Sequence, residues 1–187
     1  NKPGRDFAVM TASEKDISPK NWKVFIPYRA GVRIQDIEMF KDFAVAIEKS
    51  MALNHLRVHN FKTGDWTDIA FPEPVYSVFQ GSTPDFDSTT FRCSYQSMLT
   101  PMSVFDYDTV SGKSILLKQE EVLGGYDSKQ YATERLWATA RDGTRIPISL
   151  AYRKGLRIDG SAPLLQLGYG AYGVSSDPKF DPACPSL

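Results

Sequence analysis

The sequence has 187 residues, of which 42% are hydrophobic and 24% charged, and its 22 basic residues balance its 22 acidic residues. This composition is typical of a globular protein that buries a sizeable core, and the length suits one domain or parts of two. Balanced charge predicts no basic face, which argues against nucleic acid and anionic membranes as partners. No apolar run approaches the roughly 18 residues of a membrane helix.

The cysteines and histidines predict no metal centre. Cys93 and Cys184 lie far apart without a C-x-x-C spacing, so neither a zinc site nor a disulfide framework is expected, and the cytoplasm is the expected compartment. Cys93 lies in a strand-like segment and is expected to be a small buried residue. His55 and His59 do not form an H-E-x-x-H motif, and we expect no cofactor.

Strand signals dominate the first two thirds of the chain. Apolar residues alternate with period two at 22–26, 43–47 and 90–95, and turn signals separate these segments at 63–65, 82–88 and 111–113. Before Gly124 only residues 46–56 could form a helix of ten residues or more, and a hairpin explains that segment equally well. A mainly β protein is predicted.

The strands also recur in order. The motif DFAV occurs at 6–9 and 42–45, NWKV at 21–24 is similar to HLRV at 55–58, and Phe43 corresponds to Phe91. A period of roughly 40–50 residues with four short strands per unit is typical of propeller blades. Residues 1–123 are therefore predicted to form about two and a half blades, and a β-sandwich with accidental similarity is the alternative.

The pattern changes after the strand at 114–117. Residues 124–134 are polar and contain glycine, which predicts a linker or hinge. Two alternating segments then flank Asp142-Gly143, a turn signal, and predict a hairpin. The apolar residues 164–167 predict a buried strand of a parallel sheet, followed by a glycine-rich loop. This order is expected where an α/β-hydrolase domain begins, so residues 135–187 are predicted to be its N-terminal part.

The glycine loop contains a literal G-x-G-x-x-G at Gly168, Gly170 and Gly173. A dinucleotide site also needs a helix that begins at the loop and an acidic residue about 20 positions later. Pro178 and two further prolines follow closely and disfavour such a helix. We therefore reject a dinucleotide-binding loop.

The segments VLGGYDSKQYATERLWATARDGTRIPISLAYRKG and PLLQLGYGAYGVSSDPKF resemble the prolyl oligopeptidase family of serine peptidases, and within it the oligopeptidase B group. The upstream segment SMLTPMSVFDYDTVSGKSILLKQ resembles the last propeller blade of that family. The resemblance implies a propeller lid over an α/β-hydrolase domain that cleaves short peptides. The implied partners are a short peptide substrate and the rest of the same polypeptide.

The resemblance assigns roles to three side chains. Tyr169 would donate its hydroxyl to the oxyanion hole, where a fixed donor stabilises the charge of acyl transfer; the alternative is a buried tyrosine bonded to a carbonyl. Tyr172 would line the substrate pocket. Asp177 would receive a basic residue just before the cleavage-site residue, or would simply be a turn residue ahead of Pro178. Lys179 replaces the second aspartate of the family pattern.

The catalytic triad is missing from this chain. The nucleophile motif G-x-S-x-G does not occur, and both histidines lie in the propeller-like part. We therefore expect an internal or truncated piece of a longer oligopeptidase, inactive alone, whose parent cleaves after Arg or Lys. A non-catalytic β-rich interaction module and a proline-specific oligopeptidase of the same family are the alternatives.

Overall fold

The computed structural model describes residues 5–172 and 174–184, and within them the chain is mainly β. Two 3-10 turns, Pro19–Asn21 and Ser128–Gln130, interrupt the strands. The strands are β1 (Val9–Thr11), β2 (Lys23–Ile26), β3 (Val32–Met39), β4 (Phe43–Ser50), β5 (Leu53–Asn60), β6 (Trp66–Asp68), β7 (Tyr76–Gln80), β8 (Thr90–Ser97), β9 (Ser103–Asp108), β10 (Lys113–Gln119), β11 (Tyr131–Thr139) and β12 (Arg145–Arg153).

Two four-stranded antiparallel sheets form the body of the protein. Strands β3 to β6 make the first sheet and β7 to β10 the second, each in sequential order. Strands β1 and β2 pair separately, and β2 leads directly into β3 as β6 leads into β7. The pair therefore takes the place of the last two strands of a preceding unit.

Strand β4 is covered on both of its faces, which distinguishes a propeller from a two-layer sandwich. Val45 and Ile47 belong to a core cluster shared with Val78 and Phe91 of the second sheet. Ala46 points the other way, into a cluster with Ile26 of β2. Since successive side chains of a strand alternate between faces, the first sheet is stacked between two neighbours. The predicted propeller blades are confirmed.

Aromatic rings close the core between the two sheets. The rings of Phe40 and Phe43 stack with centroids 4.3 Å apart, and Phe91 meets Phe40 edge-on at 6.3 Å. All three side chains are buried. Each contributes roughly 1.5–3 kcal/mol through burial, so this contact helps to hold the two sheets together.

Residues 46–56 form a hairpin and not a helix. Strands β4 and β5 pair through Ser50 and Leu53, and Met51 and Ala52 make the turn. Both turn residues have positive φ, 53° and 59°, as a type I′ turn requires. Neither is glycine, so this turn is held in a conformation that L residues adopt at a cost.

Of the three sequence correspondences, one matches the structure. Phe43 and Phe91 lie at the start of the second strands of their sheets, β4 and β8. The two four-letter repeats do not. DFAV at 42–45 leads into β4, but DFAV at 6–9 lies almost wholly ahead of β1. HLRV at 55–58 lies within β5, whereas NWKV at 21–24 reaches only the start of β2. A match of four residues does not fix how two segments align within their sheets. The correspondence of Phe43 with Phe91 is stronger, because the turns at 63–64 and 111–112 are separated by the same 48 positions.

The predicted hairpin after the second sheet is present as β11 and β12. The two strands pair along their whole length, with Pro147 opposite Trp137, and Gly143 in the turn has φ of 84°. Strand β11 begins at Tyr131, within the segment predicted as a linker.

The predicted buried strand at 164–167 is absent. These residues form no strand, and Leu164, Leu165 and Leu167 are exposed. A strand of a parallel sheet is held by ladder hydrogen bonds to neighbours, and within residues 5–172 and 174–184 no strand pairs with this segment. The start of an α/β-hydrolase sheet is therefore not visible in the described residues.

Candidate functional site

The candidate site lies at one end of the two sheets, where a later segment of the chain crosses them. This end, here called the docking face, carries Lys49 at the end of β4, the β4–β5 turn, Ser77 at the start of β7, and Gln96 near the end of β8. Residues 175–181 lie against it. The Ser77 hydroxyl donates to the carbonyl of Pro178, and the backbone N–H of Phe180 donates to Gln96 Oε1 over 3.2 Å.

Asp177 is fixed to the docking face by an ion pair. Lys49 Nζ lies 2.7 Å from Asp177 Oδ1 and 2.9 Å from Ser175 Oγ. The side chains of Lys49 and Asp177 are only 21% and 30% exposed. Partial burial reduces screening by water and salt, so this pair is stronger than one at the open surface. Asp177 is thus more than a turn residue ahead of Pro178.

Tyr126 supports the same segment from the side of the second sheet. Its hydroxyl donates to the carbonyl of Leu99 over 2.7 Å, and its ring meets Phe180 edge-on with centroids 5.3 Å apart. Burial, with a smaller effect from the charge of Glu73, raises the pKa of Tyr126 to about 12. The phenol therefore remains protonated and stays a donor at any physiological pH.

A carboxylate that the sequence analysis missed holds the β8–β9 turn beneath Tyr126. Glu73 accepts hydrogen bonds from the hydroxyls of Tyr95, Ser97 and Thr100. Burial, followed by the charge of Glu73, raises the pKa of Tyr95. No short motif marks Glu73, because its three partners lie more than 20 positions away in sequence.

The hairpin β11–β12 makes a second contact with the docking face. The guanidinium of Arg135 donates to the carbonyl of Met51, in the β4–β5 turn, and to Ser149 Oγ over 2.6 Å. Burial lowers the pKa of Arg135 from its usual value. The turn is therefore contacted by Arg135 at its tip and flanked by the Lys49 pair.

Tyr169 and Tyr172 are exposed. Tyr169 is 56% and Tyr172 97% exposed, so neither phenol is packed into the interior. Tyr172 has φ of 56°, in the left-handed region that a bulky residue rarely adopts. Across residues 5–172 and 174–184, no hydrogen bond or ring contact brings either tyrosine to Asp177, so Asp177 alone of the three predicted residues is fixed by a partner.

The glycines of the loop are open. A Cβ on Gly168 or Gly170 would meet nothing within 4 Å, and neither has positive φ, so no tight turn requires glycine at these two positions. Gly173 lies outside the described residues.

The histidines and Cys93 have structural surroundings. His59 stacks on Trp66 with ring centroids 4.5 Å apart, and His55 Nδ1 lies 3.4 Å from the hydroxyl of Tyr76. Cys93 is fully buried, as predicted, and burial raises the pKa of its thiol to about 12.

The described residues contain neither a metal-binding cluster nor a membrane-spanning helix. In the part of the chain that the structure describes, no three His, Cys, Asp or Glu side chains come together as a metal site. Over the same residues, no helix is both long and apolar enough to cross a membrane.

Comparison with known proteins gives a consistent family. Residues 1–120 match the N-terminal β-propeller domain of prolyl oligopeptidase. Dipeptidyl aminopeptidase BI of Pseudoxanthomonas mexicana is 41% identical over 177 residues, covering 94% of this chain and 24% of the relative. Protease 2 of Moraxella lacunata is 31% identical, covering 97% of this chain and 26% of the relative.

Solved structures agree with the sequence relatives. Oligopeptidase B from Trypanosoma brucei with covalently bound antipain superimposes with a TM-score of 0.78 at 32% identity, over 88% of this chain and 24% of that structure. The chain thus spans about a quarter of the length of its relatives. The profile match over most of the chain, the stacked four-stranded sheets and these similarities show that the chain belongs to the prolyl oligopeptidase family.

Proposed function

We propose that this chain is the late propeller and domain junction of a serine oligopeptidase that hydrolyses short peptides after Arg or Lys. In this proposal, residues 1–123 are the end of the propeller, 124–134 the hinge, and 135–187 the start of the catalytic domain. The observation that carries it is the family match over residues 1–120, continued by relatives that align with up to 97% of the chain. The parent enzyme would act in the cytoplasm.

Tyr169 is the proposed oxyanion-hole donor. Its loop lies ahead of the segment that binds the docking face, and its phenol is accessible to a bound substrate. A neutral phenol aimed at the former carbonyl oxygen stabilises the charge that develops in acyl transfer, and loss of one such donor costs roughly 2.7–4 kcal/mol. Tyr172, exposed beside it, would line the substrate pocket.

Asp177 is the proposed receptor for a basic substrate group. A carboxylate selects Arg or Lys through charge-assisted hydrogen bonds. This favours cleavage of basic peptides over the proline-specific alternative. The argument for that alternative is the similarity to relatives named prolyl endopeptidase, one of which is 32% identical over 87 residues. The environment of Asp177 already contains one cation, Lys49, whose Nζ lies 2.7 Å from the carboxylate.

The chain alone is expected to be inactive. Its two histidines lie in β5 against Trp66 and Tyr76, and G-x-S-x-G does not occur in the sequence. In this proposal the complete protein carries that motif and a later histidine outside these 187 residues. Natural termination at Leu187 with a stable monomer would instead favour the interaction module.

The test is expression of the complete reading frame and of the 187-residue chain, assayed on matched Arg, Lys and Pro peptide amides. The complete protein should cleave after Arg and Lys, and the chain should not. Tyr169→Phe in the complete protein should lower kcat about 100-fold or more while changing KM much less. Preference for Pro, or equal kcat in Tyr169→Phe and the wild type, would contradict the respective assignments.

A further inference from the structure

Lys49 places a fixed positive charge on the carboxylate proposed to receive a basic substrate residue. Its Nζ lies 2.7 Å from Asp177 Oδ1 and 2.9 Å from Ser175 Oγ, and Ser175 Oγ lies 3.4 Å from the same carboxylate oxygen. Lys49 comes from β4 of the propeller, 128 positions before Asp177 in sequence. The ammonium is thus supplied by a propeller strand, β4, and not by the segment 175–181 that carries the carboxylate.

The position of Lys49 limits what a substrate cation can gain there. An arginine or lysine of a peptide that reached Asp177 would meet a carboxylate whose charge is already balanced, with a like charge beside it. The substrate cation must either share the carboxylate with Lys49 or displace Lys49 from it, although the Lys49 side chain is only 21% exposed. Like charges held together without bulk water repel, so both routes weaken the attraction.

The neighbouring charges reinforce this effect. Lys179, exposed two residues beyond Asp177, adds a second cation near the segment. Asp181 is the one further carboxylate of the segment 175–181, and among the described residues no ion pair joins it to Lys49 or Lys179, whereas Glu73 is engaged by three hydroxyls. Within the part of the chain that the structure describes, Lys49 forms an ion pair with no carboxylate other than that of Asp177.

We infer that Lys49 is a specificity-determining residue: it competes with the substrate for Asp177 and suppresses selection of a basic residue at P2, the position just before the cleavage-site residue. This inference rests on the proposed function and deepens it. An enzyme of this kind would require a basic residue at the cleavage site but accept small neutral residues before it. Removing the ammonium should convert it into one that prefers paired basic residues.

The experiment compares two acetylated peptides, Arg-Arg and Ala-Arg, on the protein encoded by the complete reading frame. Their amide forms give a ratio of kcat/KM, and their free acids give a ratio of Kd by calorimetry. Lys49→Met should raise both Arg-Arg to Ala-Arg preferences about tenfold, equivalent to about 1.4 kcal/mol. Lys49→Arg keeps the cation and should stay within about twofold of the wild type.

Two further variants separate this role from a structural one. Lys41, in the connection between β3 and β4, pairs with Asp87 over 2.9 Å, so Lys41→Met removes the same charge from the same blade and should leave the ratio unchanged. In the double variant Lys49→Met with Asp177→Asn the tenfold gain should disappear, because the gain requires the carboxylate.

The outcomes separate a failure of the proposed function from a failure of the role inferred for Lys49. If the complete protein cleaves neither amide, the proposed function fails, and the calorimetric ratio still tests Lys49. A Kd ratio that is the same in Lys49→Met and the wild type, including no binding of either peptide, overturns the inference. An equal loss for both peptides in Lys49→Met overturns it too, since it would mean that the ion pair only holds residues 175–181 in place.

Discussion

The buried carboxylate of Glu48 offers the sharpest test of what holds the first sheet to its neighbour. Its side chain is 4% exposed and lies between two guanidinium groups, Arg57 at 2.8 Å and Arg29 from the β2–β3 connection. Arg57 also lies over the ring of Trp66, with its Cζ 4.3 Å from the centroid. The substitution Glu48→Gln keeps the shape but leaves both guanidinium groups without their counter-charge.

The expected cost follows from the burial of the three groups. Removing one partner of a fully buried ion pair costs about 3–5 kcal/mol. The side chain of Arg57 is 16% exposed and that of Arg29 is 35% exposed, so Arg29 recovers part of its hydration. We therefore expect Glu48→Gln to lower the free energy of unfolding by about 2–4 kcal/mol. For a protein of this size, 3 kcal/mol corresponds to a decrease in Tm of about 6–12 °C.

Urea unfolding of the purified chain, followed by tryptophan fluorescence, measures this loss. The matched control is Asp106→Asn, which breaks the pair with Arg92 between β8 and β9; the Arg92 side chain is 44% exposed and can be rehydrated, so the change should cost less than about 1 kcal/mol. Addition of 1 M NaCl should reduce the effect of Asp106→Asn and leave that of Glu48→Gln nearly unchanged. If Glu48→Gln lies within about 0.5 kcal/mol of the wild type, the buried triad does not hold the sheets together.

Three further predictions concern other sites. In the native chain, Ellman's reagent at about pH 8 should label exposed Cys184 and not Cys93, whose burial raises the pKa of its thiol; labelling of both thiols before unfolding would contradict the buried position. Burial and, to a smaller extent, the charge of Asp36 raise the pKa of Glu38 above its value in the unfolded chain. The contribution of Glu38 to stability is therefore full below the unfolded pKa and is lost as pH rises through the folded pKa. Glu38→Gln should therefore raise the urea midpoint at pH 7 and have little effect near about pH 4, and an effect that is independent of pH would rule this out. Phe91→Ala should cost about 3–5 kcal/mol in the same unfolding assay, whereas a loss below about 1 kcal/mol would show that the two sheets are not joined through this ring.

Local patterns predicted the sheets because the signals for strands and turns are local. Alternation at 43–47 and 90–95 marked β4 and β8, and the glycines at 64 and 112 have the positive φ that their turns need. The 48-residue spacing of Phe43 and Phe91 placed the two sheets in the same order. Each of these signals depends only on residues that are neighbours in the chain or repeat within one unit.

The rest depended on contacts between distant residues. The segment 164–167 is as apolar as a buried strand, yet its state is decided by ladder partners that local sequence does not contain. Asp177 could be proposed from the resemblance, but its pairing with Lys49 joins positions that no periodicity connects. The hydroxyl cluster around Glu73 was missed for the same reason.

The double coverage of β4 has a consequence for synthesis of the protein. Residues 32–68 leave the ribosome before residues 76–119, which complete the burial of Val45, Ile47 and Leu56. During that interval the nascent sheet exposes an apolar face to which a chaperone, or a strand from another molecule, can bind. Every sheet of such a stack remains incompletely covered until the following one has been translated.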